Sequence, residues 1–529
     1  MPPHPWGRTP INCHHPAEPD QEDAVTLDVE QLDQFLLIGA AVLLAAILAV
    51  RLAVGVGLPS LLLYLGIGVA LGEAGVGIQF EDATAAQALG FAALVIILIE
   101  GGLTTNWREL RPTVRLGASL ATVGIGVSVA IVAVTAHFVF GMSWQLAVLL
   151  GAVTSSTDAA AVFSVLRRIP LPRRLVGALE SESGLNDAPT VVLVTLVSSG
   201  TALEYGVAGF AGIVLYQLLV GLLIGLVIGS AGVWVLRRAA LPSSGLYPLA
   251  VISFATLAYA GGASVMASGF AAVYVAALLL GNSELPHRAT TRSFAEGTAW
   301  LAQIGLFVML GLLVSPAALT WRGALIAVVV GLVLTFVARP VSVLVAAVVQ
   351  PLPARQLLFV SWAGLRGAVP IVLATIPLAA EVPGSFALFH TVFVLVVIST
   401  LLTAPTLGPA AKFLRVARRE EPRDLDVEAA PLERIAADLL QVRVSPKSKL
   451  HGVEVSELRL PKGASIALIV RDGTSFTPSG RTALRHDDDL LVVTPRSSRV
   501  VTEERLRAVS KGGRLARWLE PEEPGRSTR

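Results

Sequence analysis

Residues 180–189 read ESESGLNDAP. On a helix Ser183 and Asp187 are four apart and share a face, as do Glu182 and Asn186. One turn then offers hydroxyl, amide and carboxylate oxygens together. Hard monovalent cations bind through oxygen, and a carboxylate among those oxygens can hold a proton instead. Two further stretches carry the same kind of signal. GAVTSSTDAAAVF, residues 151–163, sets Thr154, Ser155, Ser156, Thr157 and Asp158 between apolar halves, as a locally unwound helix with free carbonyls would be written. The plainer alternative there is an intact helix whose hydroxyls bond back to their own carbonyls. SWAGLRGAVPIV, residues 361–372, carries Arg366 among Gly364, Gly367 and Pro370, which weaken a helix. Arg339 in VARPVSV and Glu100 in LIEGGL complete the set of ionisable groups in apolar surroundings.

The elements that must position these residues are membrane helices. The chain is 54% hydrophobic and 15% charged, with a mean hydropathy of +0.71, which excludes an ordinary soluble domain. At about 20 residues per crossing, thirteen candidate segments lie between residues 34 and 411. Segment five covers 145–166, six 175–199, eleven 323–348 and twelve 356–379. The expected fold is therefore an all-α polytopic membrane protein. If two inverted repeats relate segments one to six and eight to thirteen, the interrupted segments five and twelve correspond, which is the sequence pattern of a transporter site.

At membrane depth an ionisable side chain is costly and marks an ion or proton path, so Glu100, Asp158, Glu182 and Asp187 are the acidic candidates. A guanidinium cannot shed its charge, so Arg339 and Arg366 must pair with an acid or with carbonyl oxygens. Glu182 is the expected partner of Arg339, leaving Asp187 free to titrate. A cation and a proton would compete for that carboxylate. A channel would use similar residues but more often shows repeated filter sequences. An intramembrane hydrolase lacks support: ESESG is not a GxSxG elbow, and His137 and His390 have no triad company. No enzymatic role is expected.

Basic residues alternate between the loops. With the N-terminus outside, the cytoplasmic loops collect Arg108, Arg111, Arg115, Arg167, Arg168, Arg173, Arg174, Arg237, Arg238 and the cluster from Lys412 to Arg419. That bias predicts an N-out, C-in protein of the plasma (inner) membrane. A net charge of +2 gives no footing for nucleic acid, and the single cysteine, Cys13, excludes an intrachain disulfide. The polar N-terminal segment 1–33 has no basic region leading into a short apolar core, so no cleaved signal peptide is expected. The transmembrane domain is expected over 34–415, a linker over 416–435, a small cytoplasmic α/β module over 436–508, and a disordered tail over 509–529.

TSSTDAAAV, ESESGLNDAPTVV and GLRGAVP, in that order, resemble the cation:proton antiporters of the sodium/hydrogen exchanger superfamily. The resemblance implies Thr157, Asp158, Ser183 and Asp187 as cation ligands, with the monovalent cation held at Asp158 and Asp187. Asp187 would be shared by cation and proton, while Asn186 and Glu182 organise the site. It implies that Arg339 pairs with Glu182, that Arg366 is the arginine of the GLRG stretch, and that Glu100 lines a cavity. Asn186 before the aspartate implies electroneutral exchange. Ala159, where many relatives have proline, leaves the unwinding of segment five open. Residues 436–508 resemble the C-terminal half of the regulator of potassium conductance module, which suggests a small regulatory ligand and favours potassium over sodium. The remaining implications are no cofactor beyond the transported potassium or sodium and H+, contact with membrane lipid, and a homodimer. A cation channel or ligand-gated potassium efflux protein is the alternative.

Overall fold

The computed structural model describes residues 29–56, 60–78, 80, 82–157, 171–200, 206–417, 425–432, 437–446, 448–513 and 516. The helices are α1 (Val29–Val56), α2 (Ser60–Leu71), α3 (Ala83–Thr104), α4 (Val114–Phe140), α5 (Trp144–Ser155), α6 (Arg173–Ser198) and α7 (Gly206–Arg238). They continue with α8 (Leu246–Ser264), α9 (Gly269–Asn282), α10 (Arg288–Leu312), α11 (Trp321–Ala346), α12 (Ala354–Trp362), α13 (Val369–Ala379) and α14 (Ser385–Phe413). Among the described residues seven helices are long and apolar enough to cross a membrane, α3, α4, α7, α8, α10, α11 and α14, and five shorter apolar helices accompany them.

Many large apolar side chains face outward on the peripheral helices, among them Leu37 and Leu48 on α1 and Leu219, Leu223 and Val227 on α7. Such a surface suits lipid, where every backbone polar group must be satisfied within the helices. The interior is lined by small residues that let helices approach closely. A Cβ on Gly117 would meet the Ser181 hydroxyl at 2.0 Å, so α4 and α6 pack with almost no side chain between them. Helix α6 is the hub, touching α4, α5, α12 and α13 and, on its other flank, α3, α7 and α9.

Two helices, α4 and α11, each contain one π turn, at Leu120–Gly124 and Leu334–Ala338. The two helices meet where Ser128 donates to Ser342 at 3.1 Å, a pair 214 positions apart. The π turns are separated by the same offset, as two structural repeats would give. Segment twelve is broken as expected: α12 stops at Trp362 and α13 starts at Val369, with Pro370 in its first turn. Proline there lacks only an N–H that a helix start leaves unbonded.

The C-terminal module is an antiparallel sheet of order β1-β2-β5-β3-β4, built from β1 (Leu425–Leu432), β2 (Ala437–Val444), β3 (Ser465–Arg471), β4 (Thr474–Phe476) and β5 (Asp489–Pro495). Leu440, Val442, Ile469, Leu490 and Val492 form its core with Leu506 and Val509 of α15 (Arg499–Gly512). Asp488, fully buried, holds Arg471 through two hydrogen bonds of 2.8 Å. Those bonds raise the Arg471 guanidinium above its ordinary range. Two boundaries differ from the sequence reading. The acidic stretch expected as linker supplies β1, in register with β2 from Leu425 opposite Val444 to Leu432 opposite Ala437. Alternating residues in that short stretch can complete a ladder despite its charge. Helix α15 also extends to Gly512, beyond residue 508.

Candidate functional site

Helix α5 ends at Ser155, and Ser156 is extended, with φ −64° and ψ 140°. The polar run divides at that point. Thr154 and Ser155 bond back to the carbonyls of Leu150 and Gly151, both at 2.6 Å, so for them the plainer reading holds. Ser156 and Thr157 leave the helix and turn their side chains to α6. Ser156 Oγ donates to Asp187 Oδ1 at 2.8 Å, and Thr157 Oγ1 donates to Glu182 Oε1 at 3.2 Å. Asp158 and Ala159 lie outside the described residues.

The Thr157 carbonyl accepts Ser183 Oγ at 3.1 Å and Asn186 Nδ2 at 2.9 Å. Asn186 Nδ2 also donates to Thr157 Oγ1 at 2.9 Å. Asn186 thus clamps the extended segment to α6. Its Oδ1 is buried and has no hydrogen-bond partner among the described residues. Pro189 follows three residues later inside α6 and cannot donate to the carbonyl of Leu185. The helix is therefore weakened beside Asn186 and Asp187.

Glu182 and Arg339 form the expected pair: Nη1 to Oε1 at 2.5 Å and Nη2 to Oε2 at 2.8 Å, a two-pronged contact. Both are almost completely buried, at 3% and 5% exposure, so each charge depends on the other. Arg339 directly follows the π turn of α11, whose extra residue changes the direction in which the next side chain leaves the helix.

Arg366 takes a different partner type from the one an acid would offer. Its Nε donates to the Thr154 carbonyl at 3.0 Å, and its Nη1 donates to the Gly364 carbonyl. Thr400 Oγ1 in turn donates to the Arg366 carbonyl at 2.8 Å. One guanidinium thus ties the end of α5 to the break between α12 and α13. Gly364 is required by this arrangement, since a Cβ there would lie 2.8 Å from Arg339 Nε and 2.9 Å from Arg366 Nη1.

Of the residues singled out in the sequence, Thr157, Glu182, Ser183, Asn186, Asp187 and Arg339 come together in one cluster, with Arg366 beside it. Glu100 is half-buried near the end of α3, on a different helix from the crossing. Ser156 is the residue the sequence reading passed over in assigning ligands. Its adjacency to the end of α5 was the available signal. His390, weighed as a base, has both ring nitrogens in backbone hydrogen bonds, to Phe386 and Ser315.

The arrangement is a buried carboxylate, Asp187 at 7% exposure, beside hydroxyl and carbonyl oxygens at a helix break. A neutralised acid-base pair lies next to it. Residues 39–413 match the model of the family described as sodium/hydrogen exchanger, transmembrane. The chain belongs to the sodium/hydrogen exchanger family. That makes it a transporter and a multi-pass membrane protein rather than an enzyme. Residues 439–503 match the TrkA-C domain. The K(+)/H(+) antiporter NhaP of Alkalimonas amylolytica is 34% identical over 475 residues, 88% of this chain and 82% of the relative. The K(+)/H(+) antiporter NhaP2 of Shewanella oneidensis is 33% identical over 482 residues, 89% of this chain and 83% of the relative. In fold the chain is similar to the sodium proton antiporter MjNhaP1 from Methanocaldococcus jannaschii, solved at pH 8. That match has a TM-score of 0.62 and 21% identity, and covers 72% of this chain and 99% of the other.

Proposed function

We propose that this family member exchanges a monovalent cation, potassium in preference to sodium, for protons, one for one, with Asp187 shared by the two ions. The observation that carries the reading is where Asp187 lies: its buried carboxylate accepts Ser156 Oγ just past the end of α5, one turn along α6 from Ser183, which bonds the Thr157 carbonyl. Glu182 is held by Arg339 in a two-pronged contact, so Asp187 is the acid we assign to the mobile ion. Thr157, Ser183 and Asp158 are the other proposed ligands. Because the Thr157 carbonyl already accepts two donors, cation loading requires Ser183 or Asn186 to release it. Potassium is preferred because relatives that match along most of the chain carry that ion in their names and a TrkA-C domain accompanies the transporter.

Alternating access is the proposed route, with the bundle that holds α5, α6, α12, α13 and α14 moving against the rest. The protein would sit in the plasma membrane as a homodimer, N-terminus outside and C-terminus in the cytoplasm, with a small regulatory ligand on the C-terminal module. Glu100 is proposed to line the approach to the site. The test is cation-driven proton movement in everted vesicles, comparing potassium, sodium, rubidium and lithium. Asp187→Asn should reduce exchange to background with the protein still inserted, and persistent exchange would reject the assignment.

A further inference from the structure

In the C-terminal module His451 and His486 lie on two exposed loops and stack face to face, with ring centroids 4.1 Å apart and planes 7° from parallel. The backbone N–H of His486 donates to His451 Nδ1 at 3.2 Å. A ring nitrogen accepts only when it carries no proton, so this contact requires neutral His451 with its proton on Nε2. On the other ring, Nδ1 of His486 is 3.1 Å from the Ser445 carbonyl, which can only accept, so that nitrogen bears its proton. The two rings thus sit at the seam between the loops, beside backbone bonds from Gly452 to Leu484, from Leu484 to Val453 and from Asp487 to Val444.

Protonation acts on this seam directly. A second proton on His451 must go to Nδ1, where it faces another N–H and removes the hydrogen bond. If His486 is charged as well, two cations lie stacked at contact distance. The charged side chains on the elements that meet here are Lys449 and Glu454 on the first loop, Arg485, Asp487 and Asp488 on the second, the paired Arg443 and Asp489 of β2 and β5, Arg471 at the end of β3, and Lys511 on α15. Asp488 is already engaged by Arg471. Among the described residues neither imidazole forms an ion pair with a carboxylate. Imidazole is the side chain whose unperturbed charge change falls between about pH 5 and 8.

We propose that the His451–His486 stack is a pH-operated latch, closed when His451 is neutral and opened by acid, which sets the acid limit of exchange. Its consequence for transport rests on the proton-exchange reading above; the latch itself does not. The test uses the full-length protein and hydrogen exchange at the His486 amide, corrected for the intrinsic pH dependence of exchange. Protection should fall roughly fivefold on acidification from pH 8 to 5.5, the loss expected for one hydrogen bond. His451→Asn supplies an acceptor oxygen that does not titrate, and it should keep the amide protected at both pH values. In vesicles the acid limb of exchange should move to lower pH in His451→Asn. Equal protection at both pH values, or the same acid response in His451→Asn, overturns the latch. A pH-dependent amide with an unmoved acid limb overturns its regulatory role. Failure of Asp187→Asn to stop exchange would instead strike the transport reading alone.

Discussion

At Arg339 and Glu182 two full charges have been taken out of water and returned to each other through two hydrogen bonds. Removing either partner leaves the other as an uncompensated buried charge, at a cost of about 3–5 kcal/mol. Glu182→Gln and Arg339→Gln should therefore each lower the thermal unfolding midpoint of the detergent-solubilised protein markedly. The exchanged double variant, Glu182→Arg with Arg339→Glu, should melt above both. A double variant melting no higher than either single change would show that the pair is not what holds these side chains. Gly364 offers a second test of the same site. A methyl group there collides with Arg339 Nε and Arg366 Nη1 together, so Gly364→Ala displaces both guanidiniums. Its exchange rate should fall at least tenfold, while a Gly101→Ala control, with open space around its Cβ position, stays near the unaltered rate.

The discontinuous elements exist because particular residues meet the backbone groups they expose. Arg366 serves two carbonyls at once, Thr154 from the end of α5 and Gly364 from the break after α12. Lysine keeps the charge but is a compact point donor without the planar fork, so Arg366→Lys leaves one carbonyl unserved. Buried and unbonded, that carbonyl costs about 1–3 kcal/mol. Initial exchange rates for Arg366→Lys should fall roughly tenfold or more, and unchanged rates would show that the two-carbonyl tie is not used. Much of this arrangement was legible in the sequence. ESESGLND on a helix fixes which oxygens share a face, Gly364 and Pro370 mark the break, and two lone arginines demand partners. The π turns were not legible, because LATVG and LTFVA carry no composition that distinguishes them from ordinary helix. For Arg366 the two kinds of partner, an acid or carbonyl oxygens, were legible, but which carbonyls it takes was not, since those become visible only when the helix ends are placed in space. Strand β1 was hidden by its charges, which alternate with apolar residues over too few positions to outweigh a linker reading.

For the whole molecule the decisive quantity is how much charge crosses the membrane per cycle. On the proposed reading Glu182 stays paired with Arg339 throughout, so what differs between the two half-cycles is only the ion that Asp187 holds. A proton and a potassium ion neutralise it equally, and both half-cycles then move the same charge. Exchange should accordingly be blind to membrane potential. A carrier that moved one net charge would have its equilibrium displaced by about 2.3 kcal/mol per 100 mV, close to a fiftyfold ratio. In vesicles, a tenfold cation gradient should drive a pH difference of about one unit whether the potential is clamped at zero or near −100 mV. A final pH difference that follows the clamp would rule out one-for-one exchange. Asn186→Asp sharpens the experiment, because it adds a carboxylate beside Asp187 and removes the two hydrogen bonds that Asn186 donates to Thr157. If the amide at this position is what limits the site to one mobile charge, the variant that still transports should become sensitive to potential, while Asp187→Asn should not transport at all.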